Sequence, residues 1–105
     1  MALGGCASLR QYKIVPDSVA ACRDFHREGL AAMEQGDGYR ACELLDKAVA
    51  ASPTDVDAQR QLAELLWREG RLDAAIEHIE EAVKLEPQDA PTVVRAVEMY
   101  LAVLQ

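Results

Sequence analysis

The sequence repeats itself with a period of 34 residues, and this period restricts the folds that are open to the chain. Residues 22–55 align with residues 56–89 without a gap. Glycine is favoured in a tight turn after a helix, alanine where helices cross closely, and proline just beyond a helix end. The period therefore predicts two copies of one helical hairpin, stacked on each other. The identical pairs are Gly36 with Gly70, Ala41 with Ala75, Glu43 with Glu77, Ala48 with Ala82, Val49 with Val83, Pro53 with Pro87, and Asp55 with Asp89.

Apolar residues recur at spacings of three and four along most of the chain, which is the period of an amphipathic helix. Thr54 with Asp57 resembles a capping box at the start of the third helix, and Asp89 can cap the fifth. Pro53 and Pro87 end the second and fourth helices, because proline lacks the amide hydrogen that a continuing helix uses. The predicted helices cover residues 17–35, 39–51, 54–69, 72–85 and 90–104.

The composition agrees with closely packed helices and limits the partners. Hydrophobic residues make up 50% of the chain but aromatic residues only 5%, so alanine, leucine and valine must supply the core. The formal net charge is -7 and the basic residues are scattered, so the chain would repel a phosphate backbone. We expect no nucleic-acid partner. No stretch approaches the roughly 20 apolar residues of a transmembrane helix, so we expect no membrane-spanning segment.

The residues at equivalent places of the two units resemble the tetratricopeptide repeat family, whose unit is a 34-residue pair of antiparallel helices. The resemblance implies an all-α fold, an α-solenoid of about two and a half repeats and five helices. Gln59 departs from the pattern, because the family has a large apolar residue at this place. The matching residues are Phe25, Gly29, Ala32, Ala41, Leu45, Ala48 and Pro53 in the first unit, and Ala63, Leu66, Ala75, Ile79, Ala82 and Pro87 in the second. The predicted organisation is a flexible leader at 1–16 and a repeat domain at 17–105, divided into repeats at 22–55 and 56–89 and an incomplete third at 90–105.

The resemblance also implies a binding surface. In such repeats the first helices of successive units line a concave groove, which takes a peptide or a helix of another protein without a cofactor or a metal. We therefore expect a non-enzymatic protein-binding module, in which Trp67 and Met33 supply apolar anchors and Arg60 and Arg68 pair with charges. The predicted groove residues are Arg23, His26, Leu30, Met33, Glu34, Asp57, Arg60, Glu64, Trp67 and Arg68, and the incomplete third unit would add Val94, Glu98 and Leu101.

An alternative is that these are ordinary helix-surface residues and that Trp67 folds onto its own turn for packing. Family members that clamp chaperone tails hold a terminal carboxylate with lysine, asparagine and arginine side chains. Here His26 and Leu30 stand at the corresponding places. This departure argues against a clamp for chaperone tails.

The fifth predicted helix has apolar residues in almost every direction and only two charged ones, Arg95 and Glu98. A terminal repeat helix needs a polar outer face to stay soluble. The alternatives are burial by a second copy, continuation into a longer array, or cover by a partner, and the sequence favours the first two over the third. A self-associating structural component is therefore the competing function, with a homodimer formed through Val94, Val97, Leu101 and Leu104.

The leader contains Leu3, Gly4, Gly5 and Cys6, which resemble the cleavage box of bacterial lipoproteins. In such precursors the cysteine becomes the lipidated first residue, and the box follows a charged start and an apolar stretch of about 7 to 15 residues. Only Met1 and Ala2 precede the box here. The chain as written is therefore expected in the cytoplasm, whereas a different start would make Cys6 a lipidation candidate and the cell envelope its location.

Other chemistry has weaker support in the sequence. Cys22 and His26 lie four apart on one helix, which is the spacing of two metal ligands, but nothing nearby completes a site. Cys22 and Cys42 should lie at opposite ends of their hairpin, beyond the ~7 Å limit for a disulfide. His26 and His78 have no nucleophile at a recognised spacing, so we expect no catalytic residues.

Overall fold

The computed structural model describes residues 17–105, and within them every regular element is an α-helix. This confirms the all-α, five-helix prediction. The leader, with the lipidation candidate Cys6, lies outside the described residues. The helices are α1 at Asp17–Glu34, α2 at Gly38–Ala51, α3 at Val56–Arg68, α4 at Leu72–Leu85 and α5 at Ala90–Val103.

The two hairpin turns have the same structure, as the repeat requires. Gly36 and Gly70 both adopt the left-handed conformation, with φ of 79° and 81°. After α1, the amide of Asp37 donates to the carbonyl of Ala32 at 2.9 Å, and after α3 the amide of Arg71 donates to that of Leu66 at 2.9 Å. These bonds satisfy carbonyls at the helix ends, and the glycine reaches the necessary φ without steric cost.

Aspartate side chains cap three of the helices. Asp37, Asp55 and Asp89 accept a hydrogen bond from the amide three residues further on, at the starts of α2, α3 and α5. The cap at Asp89 was predicted, but the capping box of Thr54 with Asp57 is wrong. The carboxylate of Asp55 accepts from the amide of Ala58 at 2.9 Å, so the cap lies one residue beyond Thr54.

Each hairpin packs along its length, the two hairpins are joined where α2 meets α3, and α5 packs on the second hairpin through α4. Three groups of buried side chains lie between the helices. The largest crosses from the first hairpin to the second, a second joins α3, α4 and α5, and a third lies at the open end of the first hairpin. The largest group consists of Ala32, Ala41, Leu44, Leu45, Leu62, Leu65, Leu66 and Ala75. The second consists of Ala63, Ile79, Ala96 and Met99. The third consists of Cys22, Ala48 and Ala58.

Gln59, which departs from the family pattern, is buried, and both the nitrogen and the oxygen of its side-chain amide have a hydrogen-bond partner. Its Nε2 donates to the carbonyl of Pro53 at 2.9 Å, and its Oε1 lies 2.8 Å from Nδ1 of His78. Because the amide nitrogen is used on Pro53, the oxygen must accept, so Nδ1 of His78 carries the hydrogen. A polar side chain thus fills a place where the repeat pattern has an apolar one, and it joins α3 to α4 and to the turn before α3.

Candidate partner-binding face

The predicted groove residues of the two complete units lie on α1 and α3, the first helices of the two hairpins. We call this surface, together with Arg95 and Glu98 of α5, the first-helix face. On α1, Leu30 and Met33 are half-buried, and Met33 packs against the largest core group. A depression of about 450 Å³ follows the helix here. It is lined by Arg23, His26, Arg27, Leu30, Ala31 and Glu34, of which the sequence prediction had missed Arg27 and Ala31.

One polar atom on this part of the face is unsatisfied. Nε2 of His26 is buried and has no hydrogen-bond partner among residues 17–105. A buried polar atom without a partner costs free energy that a paired one does not. A hydrogen bond between a partner and Nε2 of His26 would therefore contribute more binding free energy than one to any other atom on α1.

On α3 the predicted residues occupy successive turns of the helix. Arg60, Glu64 and Trp67 follow one another at spacings of four and three, with Arg68 beside the tryptophan. Trp67 is half-buried and packs against both of the larger core groups. Trp67 therefore packs against the core between the helices, and only part of the indole remains on the surface.

Arg95 of α5 is a further residue of the face, and the sequence prediction did not include it. Its Nε and Nη2 donate to the carboxylate of Glu64, with the shortest contact at 2.7 Å. Its guanidinium carbon lies 5.7 Å from the centre of the Trp67 ring. The hydrogen bonds that Arg95 donates to the Glu64 carboxylate raise the pKa of Arg95. Arg95 was conspicuous as one of two charged residues on α5, but its partners are about 30 positions away in the sequence and only the fold brings them together.

The charges on the face differ from those on the opposite side. Arg95 neutralises Glu64, and Arg60 lies 3.8 Å from Asp57 in an exposed, weak ion pair. Arg23 and Arg68 make no ion pair within residues 17–105 and are exposed. By contrast α4 carries four carboxylates against one lysine. An acidic segment would therefore be repelled by α4 and tolerated by the first-helix face.

The outward side of α5 is apolar and open to solvent. Val94, Val97, Leu101 and Leu104, the predicted self-association residues, are 56%, 48%, 57% and 80% exposed. Between α4 and α5 lies a groove of about 330 Å³. It is lined by Glu80, Val83, Lys84, Val93, Ala96, Val97 and Tyr100. Within the described residues nothing covers this surface.

The two cysteines within residues 17–105 belong to the packed core. Cys22 and Cys42 are free thiols in different core regions, Cys22 in the third group and Cys42 against the largest. Sγ of Cys22 lies 3.6 Å from Oδ2 of Asp55, and burial together with that carboxylate raises the pKa of the thiol to about 11. Burial also raises the pKa of Cys42.

Within residues 17–105 no three or more histidine, cysteine, aspartate or glutamate side chains cluster where they could hold a metal ion. None of the described helices is long and apolar enough to cross a membrane. A cleft of about 430 Å³ does lie opposite the first-helix face, between α2 and α4 and above α3, with Cys42 and His78 in its wall.

Comparison with known proteins agrees with this architecture. The profile of the tetratricopeptide repeat family matches residues 32–102. The chain belongs to the tetratricopeptide repeat family. Membership of this family supports the prediction that the chain is a module for interaction with other proteins. No curated protein matches the sequence significantly.

Solved structures share the tetratricopeptide arrangement of this chain. The crystal structure of MamA protein superposes with a TM-score of 0.67 and 22% identity, covering 80% of this chain and 47% of that one. An arginine-to-glutamate mutant of MamA gives a TM-score of 0.68 and 25% identity, covering 85% of this chain and 63% of that one. At this identity the likeness concerns the fold. The chain spans about half to two thirds of the length of these MamA chains.

Proposed function

We propose that the chain binds a peptide or a helix of another protein along the first-helix face. On α3 the exposed Arg68 stands beside the half-buried Trp67, and both lie about two turns from Arg60, an arrangement that supports this proposal more than any other feature of the face. Tryptophan and arginine are the residues that dominate binding energies at protein interfaces. Leu30 and Met33 extend the apolar surface onto α1.

The charges favour a partner segment that carries carboxylates among apolar side chains. Arg23 and Arg68 have guanidinium groups available, and Glu64 is already neutralised by Arg95. The ion pair with Arg95 also holds the side chain that lies over Trp67, so this part of the face is ordered before a partner arrives. Exposed ion pairs are screened by salt, so binding on this face should weaken as the ionic strength rises.

The experiment is affinity capture with the chain as bait, from separated soluble and envelope fractions of the source cells. The test variant is Arg60→Glu with Arg68→Glu, which reverses two charges without removing the core contacts of Trp67. The control is Arg40→Glu, an exposed arginine on α2, outside the first-helix face. The proposal predicts a partner that the control retains and the test variant loses by about tenfold or more, a change of about 1.4 kcal/mol. Equal recovery by all three baits would refute it.

A second candidate function is favoured by the outward side of α5. Four apolar side chains exposed together on a terminal helix mark an association surface. We propose as the alternative a self-associating structural component, whose α5 forms the contact between copies. A lipid attached at Cys6 would hold such an assembly at a bacterial envelope, and this part of the alternative depends on the leader alone.

A further inference from the structure

We infer that α5 of a second copy of this chain packs antiparallel onto α5, in the place where α4 packs on α3. This inference deepens the self-association alternative proposed above and rests on it. It specifies which helix occupies the open groove, in which direction it runs and which residues meet.

The internal repeat identifies what the open groove lacks. A shift of 34 residues places Gln59, Ala63 and Leu66 of α3 on Val93, Val97 and Tyr100 of α5. The three α3 residues are at most 3% exposed. At the equivalent places on α5, Tyr100 is 39% and Val97 is 48% exposed. Among residues 17–105 a second helix, α4, packs on α3, and no second helix packs on α5 in the same way.

The contacts of α4 show which side chains cover α3. Leu66 shares a core group with Ala75, and Ala63 shares one with Ile79. His78 covers Gln59 through their hydrogen bond. A helix that completes the groove on α5 therefore needs apolar residues at the spacing of the buried α4 residues, four and then three apart.

The outward side of α5 has that spacing itself. The buried residues of α4 are Ala75, Ile79 and Ala82. A shift of 22 residues places them on Val97, Leu101 and Leu104 of α5, which are all apolar and exposed. Val94 continues the line one turn earlier, so the spacing of the four residues is three, four and three. This is the spacing of a seam between two packed helices.

The two shifts together describe a symmetric pair. If α5 of a second copy takes the place of α4, its Val97 contacts Tyr100 and Leu101 of the first copy. By the same register, Val97 of the first copy contacts Tyr100 and Leu101 of the second. Val94 of one copy then lies opposite Leu104 of the other. An interface in which each copy uses the same patch closes on itself as a dimer. In this pair each α5 covers the open groove of the other copy.

The charges are compatible with this pairing. The seam residues Val94, Val97, Leu101 and Leu104 are uncharged. The charged residues that line the groove, Glu80 and Lys84 of α4, have opposite signs, so they add no net charge to the contact. The remainder of each copy is acidic, with a formal charge of -7 for the whole chain, and two copies repel at long range. Added salt screens this repulsion, so self-association should strengthen as the ionic strength rises. Binding on the first-helix face should change in the opposite direction.

The test is disulfide cross-linking in the full chain, in a background carrying Cys6→Ser, Cys22→Ala and Cys42→Ser. One version of this chain adds Val94→Cys, and a second version adds Leu104→Cys. The second version carries a tag, so that the two versions differ in length and a disulfide dimer containing one of each can be recognised. In the antiparallel pair, residue 94 faces residue 104, whereas the two copies of residue 94 are about 15 Å apart along the helix, beyond the ~7 Å limit for a disulfide. We expect the mixture to form the mixed-length disulfide dimer and each version alone to form little.

Sedimentation of the unmodified chain separates the failure of this inference from the failure of self-association. A monomer at all concentrations would overturn both. A dimer whose Val94→Cys chains cross-link to each other, or in which neither version cross-links, would overturn the antiparallel α5 pair and leave self-association standing. Leu101→Glu should raise the dissociation constant at least about tenfold, because a buried leucine is replaced by a charge. The control Ala50→Glu, which adds the same charge at an exposed place on α2, should change it little.

Discussion

Nδ1 of His78 lies 2.8 Å from Oε1 of Gln59, and the hydrogen between them belongs to the histidine. The other end of the Gln59 amide is fixed on the carbonyl of Pro53, so three segments meet at one buried side chain. Both the neutral Nδ1–H tautomer and the protonated ring can donate this hydrogen bond. The contact therefore persists whether or not His78 is charged.

Replacing Gln59 by leucine should destabilise the protein, although leucine fits the family pattern better. The change leaves the Pro53 carbonyl and the His78 ring without their partner, and an unsatisfied buried polar group costs about 1 to 3 kcal/mol. Urea unfolding of Gln59→Leu measures the loss, and Gln61→Leu on the same helix is the matched control. Adding His78→Leu should recover part of the stability. A Gln59→Leu variant as stable as the native chain would show that the amide contributes nothing.

Gly29 should not tolerate a side chain, because α1 and α2 approach closely there. A Cβ at Gly29 would lie 3.0 Å from Cγ of Leu45, within a packed core. Overpacking costs about 1 to 3 kcal/mol, which offsets the better helix propensity of alanine. We expect Gly29→Ala to lower the melting temperature. Gly38→Ala, where the nearest atoms belong to the mobile end of Glu69, should leave it unchanged or raise it; the opposite order would contradict the packing described.

The helices and the turns could be predicted from the sequence, because they depend on neighbouring residues. The glycines at 36 and 70 and the prolines at 53 and 87 fix the ends of helices through local backbone geometry. The fourth helix was predicted at its observed bounds, Leu72–Leu85. The cap at Asp55 was missed, although its identity with Asp89, a predicted cap, was a signal that could have found it.

The contacts that order the candidate site could not be predicted in the same way. Arg95 meets Glu64 and Trp67 only because α5 packs beside α3, and no local pattern links residues so far apart in the sequence. The prediction placed Trp67 on the face but could not state how much of it the core covers. The residues of the face were named from the family pattern, and their role in binding is still a prediction.

The contact of Arg95 with Glu64 should be measurable as a coupling energy. Both side chains are about one third exposed, so the pair should contribute about 0.5 to 1 kcal/mol. A double-mutant cycle with Glu64→Gln and Arg95→Gln measures this term. The control is the more exposed pair of Arg27 with Asp24, for which the coupling should be smaller. Equal coupling in both pairs would mean that the Arg95 contact is not formed in solution.

The thiol of Cys22 should make stability depend on pH in alkaline solution. Its pKa is about 11 in the folded chain against an ordinary value of 9.0, so the folded state holds this proton more tightly than the unfolded state. The resulting stabilisation is complete below pH 9.0 and is lost as the pH rises toward about 11. Urea unfolding of the native chain and of Cys22→Ala across this range should show their difference in stability declining. A constant difference would contradict the buried thiol beside Asp55.

Binding of a protein segment to the first-helix face can be observed directly in a nuclear magnetic resonance titration of the isotope-labelled chain. The ligand is the partner recovered by the capture experiment. We expect the signals of Leu30, Met33 and the Trp67 indole to shift together on saturation, while those of Tyr39 and His78 on the opposite side stay unchanged. Shifts confined to α2 and α4, or to the outward side of α5, would contradict binding on this face.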